Sequence, residues 1–200
     1  MTINTITNNK KILDPSYYFE HYINEMAIEN MTLEEFLEIE KIKKVVIDAG
    51  AGYENIQGFP VKHNGYFIQQ YPDEFAEMVV YLRSLDRTFQ YGIDIGIASG
   101  GATKLLRDFI DIKHTIVIDT GDHAHYVHWQ RIKKELNSRL VADIVGNSRS
   151  HEVIESLKLY KGKIDFAFID GDHNYEGVKA DYFTILPLLT NKAILIFHDS

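Results

Sequence analysis

From Pro72 onward the apolar positions fall into two alternating periods. In PDEFAEMVVYLRSL, Phe75, Met78, Val79 and Leu82 are spaced for one face of a helix. Beyond it, the short apolar runs YGIDIG, TIVIDT, LVADIVG, IDFAFID and AILIFHD have strand character. Between them lie GATKLLRDFI, AHYVHWQRIKKELN, SHEVIESLKLY and YEGVKADYFTILPLL, which have helical spacing. In the last helix Val178, Tyr182, Ile185 and Leu189 share a face, and Pro187 ends or kinks it. Strands alternating with helices predict an α/β fold: a Rossmann-like, mostly parallel sheet with helices on both faces.

The first third of the chain is less regular. Residues 1–12 are polar and rich in Asn and Thr, and read as a loose arm. DPSYYFEHYINEMAIEN reads as a helix, and MTLEEFLEIEKIKK as a second one. There Thr32 is placed to N-cap, Glu35 to answer it in a capping box, and Met31 to staple against Phe36. Val45–Asp48 is strand-like, and Gly58, Pro60 and Gly65 then forbid a long helix. The expected division is a helical and irregular extension over residues 1–65 and a cofactor-binding domain over 66–200.

Composition narrows the functional classes. The 200 residues are 45% apolar and 25% charged, which is ordinary for a globular chain. Net charge is −8, with no basic stripe, so nucleic acid is not an expected partner. No cysteine is present, which removes thiolate catalysis, disulfides and cysteine metal sites. MTINTITNNKK has no apolar core of a signal peptide, and the longest apolar runs, such as AILIF, are far shorter than a membrane span. A cytoplasmic protein acting on a small molecule, away from membranes, is the expectation.

Two glycine-rich turns compete for a cofactor. VVIDAGAG is followed by a Gly/Pro-interrupted stretch; YGIDIGIASGG runs directly into a helix and opens the strand–helix alternation. Parallel sheets bind ligands outside the carboxyl ends of their strands, so the second loop is the expected site. Its glycines let backbone N–H groups approach a ligand closely. Gly96, Ala98 and Gly101 come within one methyl of the dinucleotide pattern, and Asp119 follows at the distance of a ribose-binding acid, so a nicotinamide oxidoreductase is an alternative. Against it, Asp94 at the strand end would repel a pyrophosphate and welcome an ammonium.

At this point IDIGIASGGATKLL, IVIDTGD, IVGNSRS, DFAFIDGDHNYEGVKADY and AILIFHDS resemble the class I S-adenosylmethionine-dependent methyltransferases, most of all the macrocin O-methyltransferase and cephalosporin-hydroxylase-like branch. The resemblance covers roughly residues 66–200, and IDGDHNYEGVKAD is its most specific piece. It implies that Asp94, Gly96 and Gly101 line the methionine part of S-adenosylmethionine, with Ala98 and Ser99 in the same loop. It places Asp119 on the ribose hydroxyls, Asn147 and Ser148 near the adenine, and Asp170 at the cofactor's edge. In metal-dependent O-methyltransferases the acids matching Asp170 and Asp199 hold a divalent cation, which makes Mg²⁺ an implied cofactor. Many relatives carry Asp or Asn directly after the second acid; here Ser200 stands there.

The turn Asp170–His173 has two readings. One is helix capping by Asp172 or Asn174. The other is catalysis: Asp170 holds a metal that polarises a substrate hydroxyl, and His173 takes its proton. His198 is expected on the opposite side of its strand, in a supporting or core position. His125 and His128 share a helical face and read as a solvated helix start rather than a zinc site. Trp129 reads as core or interface, and Gln69, Gln70 and Tyr71 as candidate substrate contacts.

The sheet of this class normally has seven strands, the last two forming a hairpin. Here AILIFHD is followed at once by Ser200, so the expected fold lacks that hairpin and leaves an apolar edge. Either the sequence is a fragment of a longer protein or the edge is covered, with KVVID or a second copy in a homo-oligomer as the candidate cover. The leading reading is an O-methyltransferase of a small hydroxylated molecule such as a sugar or glycoside. The alternatives are an NAD(P)-dependent oxidoreductase and a non-catalytic cofactor-binding module.

Overall fold

A computed structural model describes residues 2–5, 32–50 and 65–198. The strands are β1 (Thr2–Thr5), β2 (Phe89–Ile95), β3 (Ile112–Asp119), β4 (Leu140–Val145), β5 (Ile164–Ile169) and β6 (Leu189–Phe197). The helices are α1 (Leu33–Gly50), α2 (Pro72–Ser84), α3 (Gly101–Phe109), α4 (Trp129–Leu136), α5 (His151–Leu157) and α6 (Tyr175–Ile185). The sheet runs β1-β6-β5-β2-β3-β4, and all neighbours are parallel except the antiparallel β1–β6 pair. The Rossmann-like architecture expected from the alternation is the one observed.

Side chains of the central strands alternate between two packed faces, as the pleat requires. Phe166 and Phe168 meet α1, α2 and α3 through Ile42, Val46, Phe75, Met78 and Leu106. Ala167 and Ile169, with Ile93, Ile95, Ile116 and Ile118, meet Val153, Leu157 and Ile185 of α5 and α6. Trp129, Ile132 and Leu136 bring α4 against Val117 and Ile97.

Two sequence expectations change. Val45–Asp48 is helical, the end of α1. Its β-branched run suggested a strand, but Ile39, Ile42 and Val46 fall at helical spacing and bury against α2. The capping box starts this helix as expected: Thr32 N donates to Glu35 Oε2 at 2.8 Å, and Glu35 N to Thr32 Oγ1 at 3.2 Å. The edge of β6 is paired, and by β1 rather than KVVID, with Thr2 opposite Phe197 and Thr5 opposite Ile194. Residues on both sides of position 65 therefore share one sheet and one core. The expected helix at residues 14–30, the Met31 staple and the turn after Gly50 lie outside the described residues. Among the described residues no helix is long and apolar enough to cross a membrane.

Candidate active site

The chain leaves β2 for β3 and β4 on one side and returns to β5 and β6 on the other, so the topological switch falls at the carboxyl end of β2. Here the ladders continue one residue past the strands. Gly96 N donates to Ile118 O at 2.9 Å, Asp170 N to Ile95 O at 2.8 Å, Gly146 N to Asp119 O at 2.8 Å and His198 N to Ile169 O at 3.0 Å. Gly96, Asp119, Asp170 and His198 are thereby aligned along one rim.

The loop after β2 is built for close approach. Gly96 has φ 75°, and a Cβ there would lie 2.2 Å from the Asp170 carbonyl oxygen. A larger residue would force the ends of β2 and β5 apart. Asp119 shapes the same loop: Oδ2 accepts from Ile97 N at 2.7 Å and Ala98 N at 3.0 Å, and Oδ1 from Gly121 N at 2.7 Å. Ser99 is buried and donates through Oγ to Tyr66 O at 2.6 Å, which fastens residues 65–70 across the loop as a strap. Gly101 sits beneath this strap, where a Cβ would meet Tyr66 O at 2.2 Å.

A cleft of about 700 Å³ opens along the rim, within the range of small-molecule sites. Gly96, Ala98, Asp119, Asn147, Ser148, Asp170 and His173 all line it. Ser148 is buried and donates to Asp181, whose carboxyl is pushed up by burial against the pull of that bond. Arg149 Nη2 donates to Asp172 Oδ2 at 3.0 Å, joining the loops after β4 and β5. Asp94 is placed differently from its sequence-based role. It is fully buried and lines neither this cleft nor the recess beside it. Arg107 Nη1 and Nη2 each donate to one of its oxygens at 2.8 Å, and Thr103 Oγ1 donates at 2.7 Å. Its charge is already matched from behind the loop.

Asp170 gathers a polar cluster. Gln70 Nε2 donates to its Oδ2 at 2.8 Å, while His198 Nδ1 lies 2.9 Å and His173 Nε2 3.3 Å from Oδ1. Burial raises the Asp170 carboxyl, but the bonds from His173 and His198 outweigh it and hold the group below its ordinary value. Capping of α6 falls to Asn174, whose Oδ1 accepts from Gly177 N at 2.9 Å. Asp170 and His173 are therefore not needed for capping. His198, expected to face away, is buried against Asp170 and lines the cleft. Asp199 lies outside the described residues; among them, no group of three or more His, Asp or Glu side chains has metal-site geometry.

The histidines before α4 are not a solvated helix start. His128 stacks on Phe67 with centroids 3.9 Å apart, and His125 stacks on the same ring at 5.1 Å. Trp129 is wholly buried and donates through Nε1 to Asp143 at 2.9 Å. Gln69 and Tyr71 line the cleft, as their candidate role requires. Arg149 and Asp181 escaped the sequence reading; an arginine and a helical aspartate carry no motif until folding brings Asp181 to Ser148 and Asp172 to Arg149.

The glycine turn at the switch point, the acid ending β3 on one side and the acid–histidine group following β5 on the other together line one cleft. Residues 93–200 match the methyltransferase domain family, and the chain belongs to it. Its fold is that of the S-adenosylmethionine-dependent methyltransferases. A candidate caffeoyl-CoA O-methyltransferase from Staphylococcus aureus is similar, with 15% identity, TM-score 0.53, and coverage of 83% of this chain and 73% of the other. A candidate RNA methyltransferase from Pyrococcus horikoshii has 11% identity, TM-score 0.51, and coverage of 76% and 70%. A candidate S-adenosylmethionine-dependent methyltransferase from Methanococcus maripaludis is matched over 50% of its length, at 19% identity, 56% coverage of this chain and TM-score 0.42. No characterised protein sequence matches significantly.

Proposed function

We propose that this chain is an S-adenosylmethionine-dependent O-methyltransferase of a small hydroxylated acceptor, with a sugar or glycoside as the first class to try. The observation that carries the reading is the Asp170–His173 pair on the rim of the cleft, beside the glycine loop. The residues present fit the cofactor. Gly96 and Ala98 provide a close backbone floor, Asp119 a carboxylate for ribose hydroxyls, and Asn147 and Ser148 polar groups at the far end. When bound, S-adenosylmethionine supplies an electrophilic methyl group.

The chain's own residues do the rest. His173 Nε2 lies 3.3 Å from Asp170 Oδ1, so the carboxylate orients the imidazole that serves as proton acceptor. His173 is about half exposed, so an acceptor hydroxyl has access to it. Asp170 offers its other oxygen to Gln70 and shares the first with His198, which keeps the carboxylate oriented toward the cleft. With both oxygens so engaged, anchoring the base is a better-supported role for Asp170 than ligating Mg²⁺. The negative net charge supports a small acceptor over nucleic acid.

The test is methyl transfer to a panel of sugars, glycosides and catechols, with Mg²⁺ and with chelator. His173→Ala should lower turnover about 10²–10⁴-fold while affinity for S-adenosylhomocysteine stays within about threefold. Undiminished turnover in that variant would refute the base assignment, and loss of all activity in chelator would restore the metal role. Binding of NAD in place of S-adenosylhomocysteine would return the oxidoreductase reading.

A further inference from the structure

Beside the main cleft lies a small recess that shares Gln69, Gly96, Ala98 and Asp170 with it and is closed by Gln70 and Phe168. Gln70 is 4% exposed, on the strap that Ser99 fastens over the glycine loop. Its amide orientation is set by chemistry: Nε2 donates to the Asp170 carboxylate, so Oε1 is turned away from that charge. Oε1 is buried and has no hydrogen-bond partner among the described residues. A buried carbonyl without a donor is a costly arrangement, and it points to a donor that arrives from outside the chain.

The cofactor reading says which donor. An elongated cofactor held with its ribose at Asp119 and its adenine toward Ser148 would extend its amino-acid end the other way, over Gly96 toward this recess. That end carries an ammonium, which needs acceptors. Asp94 does not serve, because Arg107 takes both its oxygens and Thr103 adds a third bond from behind the loop. Among the described residues, Gln70 Oε1 is the buried side-chain acceptor left open on the lining of this recess, and Asp170 lies one amide away.

We propose that Gln70, rather than Asp94, receives the ammonium of the cofactor's methionine moiety. This rests on the S-adenosylmethionine reading above. Gln70 is then a selectivity residue: its carbonyl accepts from the ammonium while its amide N–H holds Asp170. Cofactor arrival and the orientation of the His173–Asp170 pair meet in one side chain.

The experiment is calorimetry on the full chain with two ligands, S-adenosylhomocysteine and its deamino analogue, which lacks only the ammonium. The wild type should prefer S-adenosylhomocysteine. Gln70→Leu should weaken S-adenosylhomocysteine by roughly 10–100-fold and the deamino analogue by less than about threefold. Gln70→Asn, which keeps the amide but shortens its reach, should show a smaller loss of the same selectivity, and circular dichroism checks that both variants fold. Equal loss for both ligands in Gln70→Leu, or a wild type that binds both equally, overturns the proposal and leaves the cofactor reading intact. A wild type that binds neither ligand overturns both.

Discussion

The Asp94–Arg107 pair offers the sharpest test of how the site is supported. Replacing Arg107 by Met keeps most of the side-chain volume but removes two hydrogen bonds of 2.8 Å to Asp94 and one of 3.0 Å to Thr115. Both charged side chains are fully buried, so water cannot take over. The carboxylate would keep only Thr103 as a donor. Removing one partner of such a pair costs roughly 3–5 kcal/mol, because the other charge is left buried and unmatched. With a urea dependence of about 2 kcal/mol per molar, the unfolding midpoint should fall by roughly 1.5–2.5 M. Trp129, the single tryptophan and fully buried, reports the transition by fluorescence. The double variant Asp94→Leu/Arg107→Met removes both charges and should recover to within about 1 kcal/mol of wild type. It should also bind S-adenosylhomocysteine within about threefold of wild type, since Asp94 lines no part of the cleft. A single variant that loses less than about 1 kcal/mol, or a double variant no better than the single, would refute the argument.

Other outcomes follow from the same geometry. Asp119→Ala removes the acceptor of three backbone N–H groups as well as the proposed ribose contact, and should cost roughly 1.5–3 kcal/mol of S-adenosylhomocysteine affinity by calorimetry; unchanged binding would sink its assignment. Burial, joined by neighbouring His123 and His128, holds His125 below its ordinary value, and burial followed by Arg131 does the same to His128. The unfolded chain therefore protonates first, so stability is full above about pH 6.5 and is lost as pH falls through and below that value. The urea midpoint of a His125→Phe/His128→Phe variant should fall less between pH 7.5 and 5.5 than that of wild type, and identical slopes would remove these histidines from the account. Deleting residues 2–5 uncovers the edge of β6 and should produce self-association in light scattering; a clean monomer at high concentration would show that the edge needs no cover.

The local periodicities were enough to read the alternation of strands and helices from Pro72 onward, because each element announces itself within a few residues. The capping box of Thr32 and Glu35 and the acids ending β3 and β5 were legible for the same reason: their spacing is local. Val45–Asp48 was misread because a β-branched run favours a strand until α2 offers Ile42 and Val46 a surface to bury against. Thr2–Thr5 looked like a loose arm because an edge strand is held by backbone bonds to β6, which a polar tetrapeptide does not advertise. The site shows the same division more sharply. Asp94 looked available to a cofactor, and only the packing of α3 on β2 and β3 revealed that Arg107 neutralises it. Gln70 and Asp170 stand 100 positions apart and meet only through the strap. Sequence determines which groups are present and what each strand end carries. Which of those charges remain unmatched is decided by tertiary packing, because desolvation and pairing are properties of the assembled surroundings rather than of any residue alone.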